Sequence, residues 1–247
     1  MNMRIVTLLG LLLIVLPGAL FAQDADLITD RPDFTESPVA VPQGSIQVEL
    51  GGTAESSNSF TVYSLGETLV RYGFFESFEL RLGAPSRISG DVDTDGWNDA
   101  SIGLKWEIGT IADRWDVGLI GSVSLPTGDE DFSSDAVDPS FILAAGGQLT
   151  EKVSLGTQIQ GWYGTVGDDR LFDWGGTVVL GLPLTAQLSA FAELAFIVPE
   201  EGSTQTVVHG GFALAVGRLG QIDLHGGVGV TDAAPDSFIG AGFSFRR

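Results

Sequence analysis

Apolar residues in this chain recur with period two over long segments, and that pattern restricts the fold more than any other feature. From Asn98 to Ile108, the large residues Ile102, Leu104, Trp106 and Ile108 alternate with Ser101, Gly103, Lys105 and Glu107. Successive side chains of an extended strand point to opposite faces, so such a segment has one apolar face and one polar or very small face. The same alternation sets Ile46, Val48 and Leu50 against Gln47, Glu49 and Gly51, and Phe78, Leu80 and Leu82 against Glu79, Arg81 and Gly83. Near the carboxyl end, Ile222, Leu224, Val228 and Val230 oppose Asp223, His225, Gly227 and Gly229. No segment carries a convincing helical period.

Twelve segments follow this pattern: 44–53, 62–73, 77–84, 98–108, 115–125, 138–148, 152–163, 171–182, 186–197, 204–216, 220–230 and 237–246. Most are about twice the length of a strand in a soluble protein and match what a tilted strand needs to cross a bilayer. Connections after the even segments are short, whereas those after the odd ones tend to be longer or more acidic. The expected fold is therefore all-β: an antiparallel transmembrane β-barrel of about 12 strands, with short periplasmic turns, longer acidic external loops and both termini on the periplasmic side. A soluble β-sandwich is the competing architecture, but it calls for shorter strands and more polar outer faces.

The amino-terminal residues 1–22 read as a secretory signal peptide, with Arg4 before an apolar run that Pro17-Gly18 ends. Residues 23–43 form a periplasmic lead-in or a plug, and 44–247 the barrel. The formal net charge is −20, and losing the leader removes one arginine and no acid, so nucleic acid is not an expected partner. Cysteine is absent, which excludes disulfides, a thiol nucleophile and thiolate metal ligation. No cofactor is expected.

Gly90 to Gly109 contains Asp91, Asp93 and Asp95 before Gly96, the opening of a calcium loop. Position 12, where such a loop needs a bidentate glutamate, is Ile102, and no helices flank it, so at most weak external calcium binding is expected. The other external acids, among them Asp129, Asp131, Asp168 and Glu200, read as a solvated rim that favours cations or bridges envelope lipid through divalent ions.

The inward faces carry Glu49, Glu67, Arg71, Glu79, Arg81, Lys105, Glu107, Asp116, Asp173, Glu193, His209, Asp223 and His225, which are the candidates for a lumen or substrate path. Charges in a narrow lumen must be paired or hydrated, so Arg71, Arg81 and Lys105 are expected to meet Glu67, Glu79 and Glu107. In the lead-in, Asp30, Arg31 and Asp33 around Pro32 suggest an ordered peptide that folds into the periplasmic mouth, with Arg31 reaching a carboxylate such as Glu49. No G-x-S-x-G or comparable nucleophile setting is present, so no catalytic residue is assigned; an envelope hydrolase would need a serine bonded to His209 or His225.

Thr29 to Gly52, "TDRPDFTESPVAVPQGSIQVELGG", resembles the amino-terminal signature of a bacterial outer-membrane transporter family linked to the meta-pathway of phenol degradation. "LVRYGFFESFELRLG", "DASIGLKW" and "SLPTG" resemble later blocks of that family, through Arg71, Tyr72, Gly73, Glu79, Arg81, Asp99, Gly103 and Lys105. The resemblance implies an outer-membrane barrel of a Gram-negative bacterium and passage of hydrophobic or aromatic compounds. "GAGFSF", Gly240 to Phe245, resembles the signal read by the barrel-assembly machinery. The resulting expectation is a passive channel for small solutes, embedded in outer-membrane lipid, with no enzymatic activity. An occluded structural barrel with cation-binding acidic loops is the alternative.

Overall fold

The computed structural model describes residues 26–58, 60–91 and 95–247. The expected signal peptide, 1–22, and Asp93 of the calcium-like loop lie outside the described residues. The strands are β1 (Ile46–Ser57), β2 (Phe60–Leu65), β3 (Thr68–Phe75), β4 (Phe78–Ala84), β5 (Arg87–Gly90), β6 (Gly96–Trp97), β7 (Ala100–Ile111) and β8 (Trp115–Leu125). They continue as β9 (Asp138–Gln148), β10 (Ser154–Val166), β11 (Asp169–Pro183), β12 (Leu188–Val198), β13 (Gln205–Val216), β14 (Gly220–Gly229) and β15 (Ser237–Arg246).

These segments build a closed antiparallel barrel of twelve walls. Each strand from β8 to β14 pairs with its sequence neighbours, β7 pairs with β4 and β8, and β15 closes the ring on β1, with Glu49 opposite Ser244. Closure leaves no unpaired edge in lipid, where an orphaned peptide group costs several kcal/mol. Three walls are each made of two pieces. β1 pairs with β3 over Ile46–Glu49 and with β2 over Gly52–Ser57, so β2 and β3 are one wall broken at Gly66-Glu67. There the N–H groups of Gly66 and Glu67 both donate to the carbonyl of Gly51, each at 3.0 Å. This two-against-one bulge needs the left-handed φ of Gly66, +80°, and it re-aims Glu67. Pro85, which lacks an N–H, separates β4 from β5, and Asn98-Asp99 separates β6 from β7.

Burial is inverted relative to a water-soluble protein. The fully buried large side chains are Arg71, Lys105, His209, Gln47, Glu49, Glu79 and Asp223, while Leu104, Leu194, Leu224 and Ile239 are exposed. That is the pattern of a barrel whose outer face meets hydrocarbon, and Phe78 stacked on Trp106 near the periplasmic end fits its aromatic girdle. The short turns fall where the sequence places them, at 76–77, 112–114, 149–153, 184–187 and 217–219. On the opposite side the strands run further than expected: β10 and β11 extend to a connection of two residues, 167–168, and 126–137 is the longest external connection.

Replacing Leu104, near the middle of β7 on the lipid face, with arginine is expected to cost about 2–4 kcal/mol of barrel stability. Urea titration of the protein folded in bilayers, compared with an arginine at exposed Ser203 in an external connection, measures this.

Candidate functional site: a luminal segment and its wall

Most of residues 26–45 lies inside the ring and touches inward-facing residues from walls all around it, while exposed Gln43 and Gly44 bond Phe74 and Gly73 at the periplasmic edge. Pro32, Pro38 and Pro42 deprive this stretch of ladder donors, so it cannot add to the sheet as a strand. Six of its N–H groups are taken by wall side chains instead, while those of Ser37 and Val39 bond within the segment and that of Gly44 bonds the Gly73 carbonyl. Glu49 accepts from the N–H of Asp30 and Arg31 at 3.1 Å, and Glu193 from that of Phe34 at 2.9 Å. Gln158 accepts from Glu36 at 2.6 Å, Glu107 from Ala40 at 2.9 Å and Glu79 from Val41 at 2.8 Å. The segment crosses the lumen with its backbone satisfied by walls β1, β4, β7, β10 and β12.

Asp30 anchors one side. Its carboxylate lies 2.6 Å from Arg81, 3.1 Å from Arg71 and 3.1 Å from the Lys105 ammonium. Arg71 also binds Glu79 and Glu49, and Arg81 binds Glu79 and Glu36. Three buried cations on β3, β4 and β7 therefore depend on two carboxylates of the segment as well as two of the wall. The expected partners for Arg71, Arg81 and Lys105 were Glu67, Glu79 and Glu107, and only Glu79 serves that way. The segment lies between the others: Glu67 turns to Arg31 at 3.2 Å, and Glu107 caps Ala40.

Arg31 anchors the other side, where its backbone N–H donates to Glu49 and its guanidinium goes elsewhere. Its Nε and Nη2 donate to Asp223 at 3.3 and 3.1 Å, and Nη2 lies 3.4 Å from His225 Nε2. Gly51 and Gly242 make the slot, since a Cβ at either position would run into the guanidinium. From His225 a chain runs inward: His225 Nδ1 to His209 Nε2 at 2.9 Å, then His209 Nδ1 to Glu193 at 2.9 Å. Thr35 donates to Glu193 as well, and the Phe34 ring packs 4.4 Å from the His209 ring and 5.6 Å from Phe238.

On the external side of the segment lies a cavity of about 880 Å³, lined by Arg31, Asp33, Phe34, Glu67, His225 and Phe238 among others. Phe34 is 43 % exposed although it lies within the ring. The remaining candidates are peripheral. Asp173 accepts from the N–H of Glu200 at the external end of its wall, and Asp116 from the Thr110 hydroxyl near a periplasmic turn. Asp91 accepts from the N–H of Thr61, while Asp95 pairs with Arg87, so these two carboxylates do not converge. Asp99 serves the rim: burial opposes its charge, but N–H donors of Gly128 and Thr127 hold its carboxyl below the usual range.

Neutral residues that a search for charges passes over also hold the segment. Gln47 and Gln221 bind Ile28 and Arg31 carbonyls, and Gln158 binds the Phe34 carbonyl. Their only trace in the sequence is their place on the polar side of the alternation.

The sequence model of a family described as "Putative MetA-pathway of phenol degradation" matches residues 29–246. The chain belongs to this family. The match begins at the luminal segment and ends on the closing strand, so it takes in the whole Asp30 and Arg31 network. No curated protein sequence matches the chain. Among solved structures, the COG4313 outer membrane channel from Pseudomonas putida F1 superposes with a TM-score of 0.66 at 12% identity, covering 85% of this chain and 97% of that one. The NanC porin gives 0.60 at 9% identity over 80% and 98%, and the KdgM porin 0.57 at 8% over 81% and 98%. At these identities the likeness shows a shared fold. This phenol-degradation family member is an outer-membrane β-barrel.

Replacing Asp30 with asparagine leaves Lys105, Arg71 and Arg81 short of a counter-charge, which for a buried pair costs about 3–5 kcal/mol. The expected result is protease cleavage within residues 26–42 of a barrel that still migrates as folded on an unheated gel.

Proposed function

We propose that this barrel is a passive conduit for small solutes across the outer membrane, plugged by residues 26–45, with apolar or aromatic compounds as the preferred cargo. The observation that carries the reading is the cavity on the external side of the segment. Its lining combines apolar Phe34, Phe238 and Val207 with polar Arg31, Glu49 and Glu67. Such a mixed lining accommodates a ring that bears a hydrogen-bonding substituent. Transport of this kind asks for no chemical step, and the two histidines are engaged by Glu193, Arg31 and each other.

A second reading, an occluded barrel of structural role, is favoured by the full burial of Arg71, Lys105 and Glu79 around Asp30. The two readings part on conductance. Planar-bilayer recordings of the refolded protein are expected to show small currents that rise several-fold when residues 26–42 are deleted, with a reversal potential that favours cations because the lumen and rim are acidic. Silence from the deleted form, with the barrel shown to be folded, retires the conduit. For assembly, we read β15 as the strand engaged by the barrel-assembly machinery, with Phe243 and Phe245 on its lipid face.

A further inference from the structure

The hydrogen-bonded chain between Arg31 and Glu193 has only one consistent arrangement of protons. Arginine donates and never accepts, so His225 Nε2, 3.4 Å from Arg31 Nη2, must present a lone pair. His225 then carries its proton on Nδ1 and gives it to His209 Nε2, and His209 gives its own Nδ1 proton to Glu193. Both rings are neutral in this arrangement. An added proton has nowhere to rest without disturbing Arg31. Placed on His225, it sits on Nε2 and points at the guanidinium. Placed on His209, it occupies Nε2 and faces the Nδ1 proton of His225, which must move across its own ring to Nε2. By either route an N–H and a positive charge arrive opposite Arg31.

We propose that His209 and His225 act as a proton-sensitive latch on the luminal segment, holding its Arg31 end when neutral and loosening it as the medium acidifies. The proposal rests on the reading of residues 26–45 as a plug. The surroundings favour this over simple absorption of the charge. Asp223 lies beside His225, but Arg31 already occupies both of its oxygens. Glu193 receives Thr35, the Phe34 N–H and His209 together. Phe34, Phe191 and Phe238 pack around His209, with ring centroids 4.4, 4.9 and 5.1 Å away. Gly240 has no side chain where the His225 ring tip lies, so the ring is seated against backbone. Asp33 and Glu36 of the segment, with Glu49 and Glu67 on the walls, complete the charged groups around this end of the lumen.

The direction of the effect follows from linkage. Free imidazole takes up a proton below about pH 6.5, and a proton arriving on either ring of the latch turns an N–H toward Arg31. The latch is at full strength above that pH and weakens as pH falls through it, by up to about tenfold per pH unit in the ratio of released to latched segment.

The chain has no cysteine, so a single Ser37→Cys substitution gives one reporter inside the segment. Its labelling rate with a charged methanethiosulfonate is divided by that of Ser203→Cys, exposed in an external connection, which cancels the reagent's own pH dependence. Between pH 7.5 and 5.5 this ratio is expected to rise by up to about tenfold. Adding His225→Gln, which keeps an acceptor for Arg31 and a donor for His209 without titrating, should level it. His209→Gln is the second variant, should the first disturb folding. A level ratio in the unsubstituted relay of a folded barrel overturns the proposal. So does a rise that persists in both glutamine variants, which assigns the effect to Asp33 or Glu36. Because labelling reads the position of the segment and not current, a conductance that ignores deletion of residues 26–42 sinks the plug reading separately.

Discussion

Peptide groups placed in hydrocarbon have no water to bond with, and the rest of this structure depends on that constraint. It demands a ring of strands whose ladder closes on itself, which β15 and β1 provide. Closure in turn divides every strand into a lipid side and a lumen side. Leu, Ile, Val and Phe take the first, and the polar residues of the alternation are left facing one another across a narrow interior. The interior is then an electrostatic problem. Arg71, Arg81 and Lys105 stand close together on three adjoining walls, and the wall alone offers Glu49 and Glu79 against them.

The luminal segment solves that problem with its own acids. Asp30 touches all three cations and Glu36 bonds Arg81, so the segment completes the charge balance of the barrel at the same time as it fills the space. On its other side, one residue along at Arg31, the signs reverse: the segment supplies the cation and the walls supply Asp223 and Glu67. Neighbouring side chains of opposite charge, each matched by a different part of the wall, give the peptide one orientation in the lumen. The bulge at Gly66 belongs to the same arrangement, because it turns Glu67 toward Arg31.

The fold was legible in the sequence because strand period, strand length and turn spacing all point the same way. Thr29 to Gly52 and the later blocks named the family, and the match over residues 29–246 bears that out. The inward faces were legible too: Glu49, Arg71, Glu79, Lys105, Glu193, His209 and His225 all lie buried in the lumen, as the alternation predicts. Their partners were not. Side-chain pairing across a lumen depends on what occupies it, and a peptide entering between Arg81 and Glu107 changes every pairing without leaving a mark in strand periodicity. The glutamines that bind peptide groups left no charge signal at all. Asp173 shows the reverse error, since its place on the inward face is real but its height in the wall puts it beside Glu200 at the rim.

Beside the side-chain anchors Asp30, Arg31, Thr35 and Glu36, the walls grip the segment through its main chain. Glu49, Glu79, Glu107, Glu193 and Gln158 each bind an N–H that any residue except proline would offer. Positions such as Asp33 and Phe34, whose side chains border the cavity, are thus released from the duty of holding the peptide in place. Evolution can rewrite them one at a time, as one changes the bit of a key while keeping its shaft. If the barrel is the conduit proposed above, new cargo would come through point changes in a short peptide, with no wall rebuilt and no strand register disturbed.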